Sequence, residues 1–484
     1  MLRAFWIWTS HTDDKWFFDK SVWQRMFRAM SGCGLDSMIL ADARPVDNIS
    51  ESMRSQDMRH WIFENALDYD IAPHALVISA SCAVCAADAR GMVHIPVRTL
   101  LETYPELAGL FVNTDGVDTQ FIQEAVADAM DAARPDAPLY LRCLQGEPGA
   151  IVGKITRRGD RPVRYSVKYT GDHLVDTNPD MSFSRWVDAV GAQNVLAEFR
   201  SANFEPWTSF SFETVEGILR NLNDMNCSGF SLMPLSMNDW PKTSDTYFKY
   251  QFQRDLVWYS VWGGSNVAQL LREGQPKWLL RNKRVLEGFQ AGSRILELLS
   301  LYIAADKTDR WRPQLCSIID PDTNSPRLLS IEDMLHLDSN WWKEVTGDEV
   351  VHPAQYVQYG TPENAYGPEE LIEELADLSA QATAAGDKGM RNNSGEKELP
   401  GFTRDAFCMG RLGEFYVERF KAALAHARGE DVEALDHMNR ALGLYREIRA
   451  VDSSHRRGES IRDAWTATIK ALESEYESAA ARII

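Results

Sequence analysis

The stretch that decides the fold is GLFVNTDGVDTQFIQEAVADAMDAARPDAPLYLRCL, residues 109–144. It begins with the short apolar run Gly109–Asn113, continues through the amphipathic segment Thr119–Ala133 and ends in a second apolar run, Leu139–Leu144. A strand, a helix and a strand in this order predict two parallel neighbouring strands joined by a crossover helix. Both runs are largely apolar, which is typical of a parallel sheet covered by helices.

The same alternation extends towards both ends of the chain. Further short apolar runs predict strands at Arg3–Trp8, Ser37–Leu40, Ala75–Ser79, Arg164–Tyr169, Val195–Phe199 and Gly229–Pro234. Amphipathic stretches between them predict helices at Lys20–Met30, Gln56–Leu67 and Phe212–Met225. The segment Gly146–Asp160 has no clean helical period, and we expect a shortened or irregular crossover there.

Eight strands in about 235 residues are the number and length of a (β/α)8 TIM barrel, an α/β fold. The alternative is a doubly wound open sheet. Such a sheet would usually carry a glycine-rich phosphate loop after its first strand, and Trp8-Thr9-Ser10-His11 is not one. The barrel is therefore the favoured fold.

The pattern changes after residue 240, where helical periods replace the alternation. We predict a catalytic barrel over 1–240, a helical extension packed on the barrel over 241–380, an exposed loop or linker over 381–401 and an all-helical C-terminal domain over 402–484. The linker is predicted from its Gly, Asn, Asp, Lys and Ser content. The apolar stripes of the C-terminal helices need a partner, either the barrel or a second copy of the chain in a homodimer.

Composition excludes several classes of function. The net charge of −19 argues against binding to nucleic acid or to an anionic membrane surface. The 15 Trp and 15 Tyr residues supply many rings that could stack on sugar faces. The seven cysteines are an odd number and lie mostly in apolar runs, which predicts a reducing compartment, the cytoplasm, unless a signal peptide has been removed.

Polar residues just past the strand ends line the active site of a barrel. Three acids follow different strands there, Asp115, Asp172 and Glu198. Hydrolysis of a glycosidic bond needs such a set, one carboxylic acid to protonate the leaving oxygen and a carboxylate opposite it. Each acid also has a structural alternative: Asp115 could cap the next helix, as could Asp118; Glu198 could pair with an arginine; and Asp172 could be a turn residue.

Other polar and aromatic residues near the strand ends are candidates for substrate binding. Four cations could bind a carboxylate or sulfate on a sugar: Arg44, Arg142, Lys168 and Arg200. One of three tryptophans could form a sugar platform: Trp8, Trp207 and Trp240. His11 and Asp42 could bind hydroxyl groups, and Asp239 is a reserve catalytic acid. No metal-ligand constellation or phosphate-loop motif occurs, so neither a metal nor a cofactor is expected.

Four of these segments resemble the bacterial α-glucuronidases, which remove glucuronic acid side groups from xylan fragments. Phe5-Trp6-Ile7-Trp8 is similar to the first barrel strand of that family, and Val112-Asn113-Thr114-Asp115-Gly116 to the strand that carries its general acid. Val167–Asp172 and Ala197-Glu198-Phe199 are similar to the segments that carry its two water-positioning carboxylates. The family has Glu where this chain has Asp115. It also has a domain before the barrel, which we do not expect here because the first predicted strand begins at Arg3.

The residues and the resemblance together lead to three hypotheses. The first is a glycoside hydrolase, exo-acting on an oligosaccharide with a uronic or other anionic sugar; the resemblance implies inversion of the anomeric centre. The second is a carbohydrate-binding barrel without catalytic activity, because the shorter Asp115 replaces a glutamate. The third is an unrelated barrel enzyme such as a lyase or isomerase, most of which need a metal or phosphate site.

Overall fold

The structure is a computed structural model. It describes residues 1–9, 15–42, 53–78, 90–144, 146–158, 163–171, 174–200, 204–235, 240–243, 245–264, 283–304, 311–320, 323, 325–337, 340–391, 399–454 and 459–483. Of the helices in these ranges, none is both long enough and apolar enough to cross a membrane.

Eight parallel strands close into a barrel in sequence order, with the first strand paired to the eighth. They are β1 Leu2–Thr9, β2 Ser37–Asp42, β3 Ala72–Ile78, β4 Gly109–Asn113, β5 Leu139–Arg142, β6 Arg164–Lys168, β7 Val195–Phe199 and β8 Gly229–Leu232. Every one overlaps a strand predicted from the sequence. The closed ring confirms the TIM barrel and excludes the open doubly wound sheet.

Helices lie between successive strands of the barrel. They are α1 Lys20–Gly32, α2 Met53–Leu67, α3 Arg90–Thr103, α4 Thr119–Ile122, α5 Asp128–Ala133, α6 Pro148–Ile151, α7 Met181–Val190 and α8 Phe212–Asp224. A π-helical turn, Gln123–Ala127, joins α4 to α5, so that 119–133 is continuously helical as predicted. Among the described residues of the crossover after β5, 143–144, 146–158 and 163, the single-turn α6 is the only helix, as expected for a shortened connection.

Each strand presents alternate residues to the inside and the outside of the barrel. One set forms an interior apolar cluster: Ala4, Trp6, Ile39, Ala41, Leu76, Phe111, Tyr140, Leu196 and Met233. The intervening residues pack beneath the surrounding helices. By the same alternation, the last inner positions of β4, β5 and β7 are Asn113, Arg142 and Glu198, all at the carboxyl end of the barrel.

The second half of the chain is mainly helical. Its helices are α9 Gln251–Arg254, α10 Leu256–Trp262, α11 Lys283–Ile303, α12 Ile331–Leu335, α13 Asn340–Thr346, α14 Pro353–Tyr359, α15 Pro368–Arg391, α16 Leu399–Ala427, α17 Asp431–Ser453 and α18 Glu459–Ala480. The predicted helical extension also contains two small sheets, made of Trp311–Arg312, Ser317–Ile319 and Pro326–Leu328, and of Glu349–Val350 and Ala365–Tyr366. Short strands of two or three residues leave no periodic signal in a sequence.

The predicted loop or linker over 381–401 is wrong for the residues described there. Helix α15 continues to Arg391 and α16 begins at Leu399. Small residues in this segment allow close helix packing rather than a loop: a Cβ added at Gly386 would lie 2.5 Å from the Cβ of Phe407 in α16. One added at Gly288 in α11 would lie 2.1 Å from the Cβ of Ala385. The three helices therefore pack along one another through glycines.

Buried polar contacts join the C-terminal helices to the barrel. Asp452 of α17 accepts hydrogen bonds from the indole nitrogens of Trp207, in the segment after β7, and of Trp465 in α18. Asp405 of α16 accepts one from the backbone N–H of Thr208. The C-terminal helices thus pack on one another and are joined to the barrel of the same chain through these buried contacts.

Candidate active site

The turn after β4 contains an acid, Asp115, at the carboxyl end of the barrel. Asp118, not Asp115, caps the following helix, because its side chain accepts a hydrogen bond from the backbone N–H of Gln120. Gly116, with a φ of 74°, provides the turn between the two acids. Asp115 accepts a hydrogen bond from the backbone N–H of Leu144, 3.3 Å away, after β5. The helix-capping alternative for Asp115 is therefore wrong.

A buried ion pair lies at the ends of β5 and β7. The guanidinium of Arg142 donates from Nε to Oε2 of Glu198 at 2.7 Å and from Nη2 to Oε1 at 2.5 Å. The hydroxyl of Ser166, on β6 between them, donates to Oε2 at 3.3 Å. Glu198 is 1% exposed, so its charge has to be balanced within the protein. Two parallel charge-assisted hydrogen bonds provide that balance.

Asp115 belongs to the same electrostatic cluster. Burial alone would lower the pKa of Arg142, but the charge and hydrogen bonds of Glu198 and the charge of Asp115 raise it above its usual value. The guanidinium is thus permanently charged and lies under the influence of both carboxylates. Two of the three predicted catalytic acids are brought together around a cation that was predicted to bind substrate.

Aromatic rings lie next to the cluster of Arg142, Glu198 and Asp115. The guanidinium of Arg142 lies 5.0 Å from the ring centroid of Trp6, which is fully buried. The ring of Trp8 stacks on that of Trp6 at 5.8 Å, with 18° between their planes. Trp8 is only partly buried, and of the three tryptophans proposed as a sugar platform it is the one beside the acids.

The remaining predicted cations differ in position. Lys168 is the last residue of β6, on the same face as Ser166 and in register with Glu198, and it is half-buried. Arg200 directly follows β7 and is exposed. Asp42 ends β2, and its side chain lies outside the described residues. Four predicted site residues lie outside the described residues altogether: His11, Arg44, Asp172 and Asp239.

Two of the predicted tryptophans have other surroundings. Trp207 is 2% exposed, donates its N–H to Asp452 at 3.2 Å and packs against Trp465 at 5.5 Å. It therefore joins the barrel to the C-terminal helices instead of presenting a free ring to a sugar. Trp240 is buried as well, with 8% of its surface exposed.

The structure adds two residues that the sequence analysis missed, Ser166 and Asn113. Both lie on the inner face of a strand, near its carboxyl end. The candidates predicted from the sequence lie at or beyond the strand ends. Inner-face residues within the strands also line the mouth of a barrel. Counting back two positions from Lys168 and from Asp115 would have found both.

The neighbouring thiol is not a nucleophile. Burial raises the pKa of Cys143, next to Arg142, to about 12, so that it remains protonated near neutral pH. Within the described part of the chain, no group of three or more His, Cys, Asp or Glu residues could hold a metal ion.

Comparison with solved structures shows that the fold of the chain is a known one. A GH138 enzyme targeting pectin rhamnogalacturonan II superposes with a TM-score of 0.78 at 14% identity, over 100% of this chain and 84% of its own. An O-GlcNAc hydrolase from Thermobaculum terrenum gives 0.45 at 9% identity, over 97% and 94% of the two chains. An exo-β-1,4-mannosidase from an Opitutaceae bacterium gives 0.39 at 9% identity, over 56% and 60%. No family model and no curated protein matches the sequence.

This chain has the fold of a glycoside hydrolase. The likeness to the GH138 enzyme extends through both the barrel and the helices, since it covers the whole chain. At 14% identity it concerns the fold alone. An activity can therefore be inferred only from the residues of the site.

Proposed function

We propose that this chain is a glycoside hydrolase that removes a uronic or otherwise anionic sugar from the end of an oligosaccharide. The observation that carries the proposal is the placement of two carboxylates at the same end of the barrel: Glu198 on β7 pairs with Arg142, and Asp115, after β4, accepts a hydrogen bond from Leu144 and acts electrostatically on the same arginine. Acids from different strands can flank a glycosidic bond, as this reaction requires. The shared fold with a glycoside hydrolase supports it.

In the proposed reaction Asp115 gives its proton to the glycosidic oxygen while the bond from that oxygen to the anomeric carbon breaks. Water attacks the anomeric carbon and loses a proton to Glu198. Hydrogen bonds from Arg142 and Ser166 occupy three of the roughly four lone-pair sites of the Glu198 carboxylate, two of them on Oε2. The remaining site on Oε1 could accept a proton from the attacking water. Asp172 is the second candidate for this role.

Direct displacement of the leaving group by water, without a covalent intermediate on the protein, predicts inversion, for which the two carboxyl groups should lie about 6.5–9.5 Å apart. The resemblance to α-glucuronidases supports the same outcome. For the anionic group of the sugar, Lys168, Arg200 and Arg44 are the candidate partners. Arg142 is less suited, because Glu198 occupies two of its donors.

The test is an assay on two sets of oligosaccharides. One is suggested by the resemblance to α-glucuronidases and the other by the fold shared with the GH138 enzyme. Xylan fragments carrying glucuronic acid and fragments of rhamnogalacturonan II would be incubated with the wild type and with Glu198→Gln, and released sugars separated by anion-exchange chromatography. We expect the wild type to release a uronic acid from at least one substrate and Glu198→Gln to release much less. Release of neutral sugars only would refute the preference for an anionic substrate.

The buried pair between Arg142 and Glu198 also favours a second function, a carbohydrate-binding barrel without hydrolytic activity. A glutamate held by two hydrogen bonds from one guanidinium is well suited to a structural role. Sugar binding without release of any product from these substrates would support this second function over the first.

A further inference from the structure

Asn113 is a buried amide at the barrel mouth that the proposed reaction does not use. It is the last residue of β4 and shares the inner face of that strand with Phe111. It is 1% exposed and lies in register with Arg142 on the neighbouring strand. Phe111, whose ring stacks on that of Tyr140 at 4.4 Å, closes the interior beneath it. Only a group at the carboxyl end of the barrel can therefore approach the amide.

Among the described residues, neither Oδ1 nor Nδ2 of Asn113 has a hydrogen-bond partner. Leaving a buried donor and acceptor unpaired carries a cost in stability. The adjacent guanidinium does not relieve it, because Arg142 points its Nε and Nη2 donors at Glu198. Buried groups of this kind are rare in folded proteins and call for a specific explanation.

Two indole N–H groups in the same region are also unpaired. The Nε1 atoms of Trp6 and Trp8 are buried and have no partner among the described residues. Trp6 lies below Arg142, and its ring contacts that of Phe111 at 5.5 Å. Three unpaired polar side chains therefore surround the Arg142–Glu198 pair.

We propose that Asn113 determines specificity by binding two neighbouring hydroxyl groups of the sugar, an inference that rests on the proposed function. An amide has one acceptor oxygen and one NH2 donor group. It can therefore accept a hydrogen bond from one sugar hydroxyl and donate one to the neighbouring hydroxyl. A carboxylate only accepts, and it would leave Oδ1 unpaired and facing negative charge. The indole donors of Trp6 and Trp8 can complete the site by donating to sugar oxygens.

The experiment measures binding, so that it does not depend on turnover. Glucuronic acid, galacturonic acid, glucose, galactose and xylose would be titrated into the wild type, Asn113→Ala and Asn113→Ser, with tryptophan fluorescence as the signal. We expect the sugar that the wild type binds best to bind Asn113→Ala about 10- to 100-fold more weakly, because two hydrogen bonds to a buried amide are lost. Asn113→Ser, which keeps one hydroxyl, should fall between.

A deoxy analogue of that sugar separates a direct contact from an indirect one. Removing a hydroxyl that Asn113 binds should weaken binding to the wild type but not to Asn113→Ala. Equal losses in the two proteins for every deoxy analogue would mean that Asn113 contacts no hydroxyl group, and the proposal would fail.

Thermal unfolding without sugar tests the structural alternative. Removing an unpaired buried amide should leave the melting temperature of Asn113→Ala unchanged or higher. The matched control is Asn221→Ala on α8, which loses a hydrogen bond of 2.8 Å to the carbonyl of Thr177 and should melt at a lower temperature with unchanged sugar binding. A lower melting temperature with wild-type sugar affinity in Asn113→Ala would overturn the proposal.

Different results would refute this inference and the proposed function. If the wild type binds sugar and releases product, and Asn113→Ala binds equally well, the role of Asn113 is refuted and the proposed function stands. If the wild type neither binds any of the five sugars nor cleaves any oligosaccharide, the proposed function is refuted, and the role of Asn113 with it.

Discussion

At the scale of single residues, the Arg142–Glu198 pair is a buried ion pair in the candidate site. Glu198 is placed by the alternation of β7 at an inner position, where only 1% of its surface is exposed. The same alternation on β5 places Arg142 within reach of both carboxylate oxygens. Either charge would be strongly destabilising if it were buried without the other. The presence of each residue therefore explains the presence of the other.

This interdependence predicts an asymmetric effect of substitution. Arg142→Met leaves a buried carboxylate without its partner and should reduce the free energy of unfolding by about 3–5 kcal/mol. Replacing both residues, Arg142→Met with Glu198→Met, should recover most of that loss. The measurement is urea unfolding followed by circular dichroism.

The control is the exposed pair of Arg98 and Glu102 on α3, whose side chains are 58% and 53% exposed. Arg98→Met should leave the free energy of unfolding nearly unchanged, as for other surface pairs. A double variant of Arg142 and Glu198 that is no more stable than Arg142→Met would contradict this account of the pair.

The sequence predicted part of this chemistry. Asp115, Arg142 and Glu198 follow from the strand ends, and a pair between Glu198 and an arginine was one of the alternatives. The partner of Trp207 could not be predicted, because Asp452 lies 245 positions away along the chain. Contacts of that kind depend on how whole helices pack, which no local pattern records.

At the scale of elements, the strands of the barrel were predictable because each is an isolated apolar run buried on both faces. Helix α15 was only partly predictable. Its last turns contain Gly386, and glycine is typical of loops, but here it permits close packing against Phe407. The residue that signals a loop in the sequence is therefore needed for contact between two helices.

Two glycine substitutions test this explanation. Gly386→Ala should destabilise the protein by about 1–3 kcal/mol, because the added Cβ would lie 2.5 Å from the Cβ and 2.8 Å from the Cα of Phe407. Gly443→Ala, in α17, meets no atom within 4 Å and should stabilise it by about 0.5–1 kcal/mol. Thermal unfolding measures both, and shifts in the same direction would contradict the packing role of Gly386.

A buried acid between α11 and α8 predicts a pH dependence of stability. Burial raises the pKa of Glu297 from its ordinary value of 4.5 to about 7, although Arg294 and the hydroxyl of Thr214 partly oppose this. Between these two pH values the folded protein holds a proton that the unfolded chain releases. Stability from this group is therefore complete below about pH 4.5 and is lost as the pH rises towards 7.

Glu297→Gln should abolish this dependence, raising the free energy of unfolding at pH 8 by an amount on the order of 3 kcal/mol and leaving it nearly unchanged at pH 4. Chemical unfolding at pH 4, 6 and 8 provides the measurement. The control, Glu287→Gln, changes an acid of the same helix that is 56% exposed, and its pH profile should follow the wild type. A Glu297→Gln profile parallel to that of the wild type would show that Glu297 does not titrate in this range.

At the scale of the whole molecule, the barrel and the helices form one framework. Arg404 of α16 pairs with Asp245, in the segment after β8, at 2.7 Å, and both are buried. Arg254 of α9 lies 3.6 Å from Asp405. These contacts connect the segment after β8 to α16, and the hydrogen bond from Thr208 to Asp405 connects the segment after β7 to the same helix. The helices thereby support the rim of the mouth where Glu198 lies.

The class of fold was predictable at this scale, whereas the arrangement of the second half was not. A barrel repeats one strand-and-helix unit, and its period is visible in the sequence. The helices after residue 240 follow no repeat, and their partners are set by side-chain packing. Those helices are nevertheless part of the likeness to the GH138 enzyme, which covers the whole chain.

The central claim is that Asp115 acts as the general acid of a glycosidase. In the most direct test of this role, ¹H NMR follows the hydrolysis of the oligosaccharide that the wild type cleaves. The rate of Asp115→Asn is measured in parallel. Asparagine keeps the shape of the side chain and removes the proton, so the rate should fall by about 10²- to 10⁴-fold. The loss should be much smaller on an activated aryl glycoside, which departs without protonation.

The control is Glu124→Gln, an exposed acid in the helix after Asp115, which should match the wild type on both substrates. The first anomeric signal of the released sugar should have the configuration opposite to that of the substrate. An Asp115→Asn variant that cleaves the oligosaccharide at the wild-type rate would contradict the account and make Asp239 the next candidate for the acid.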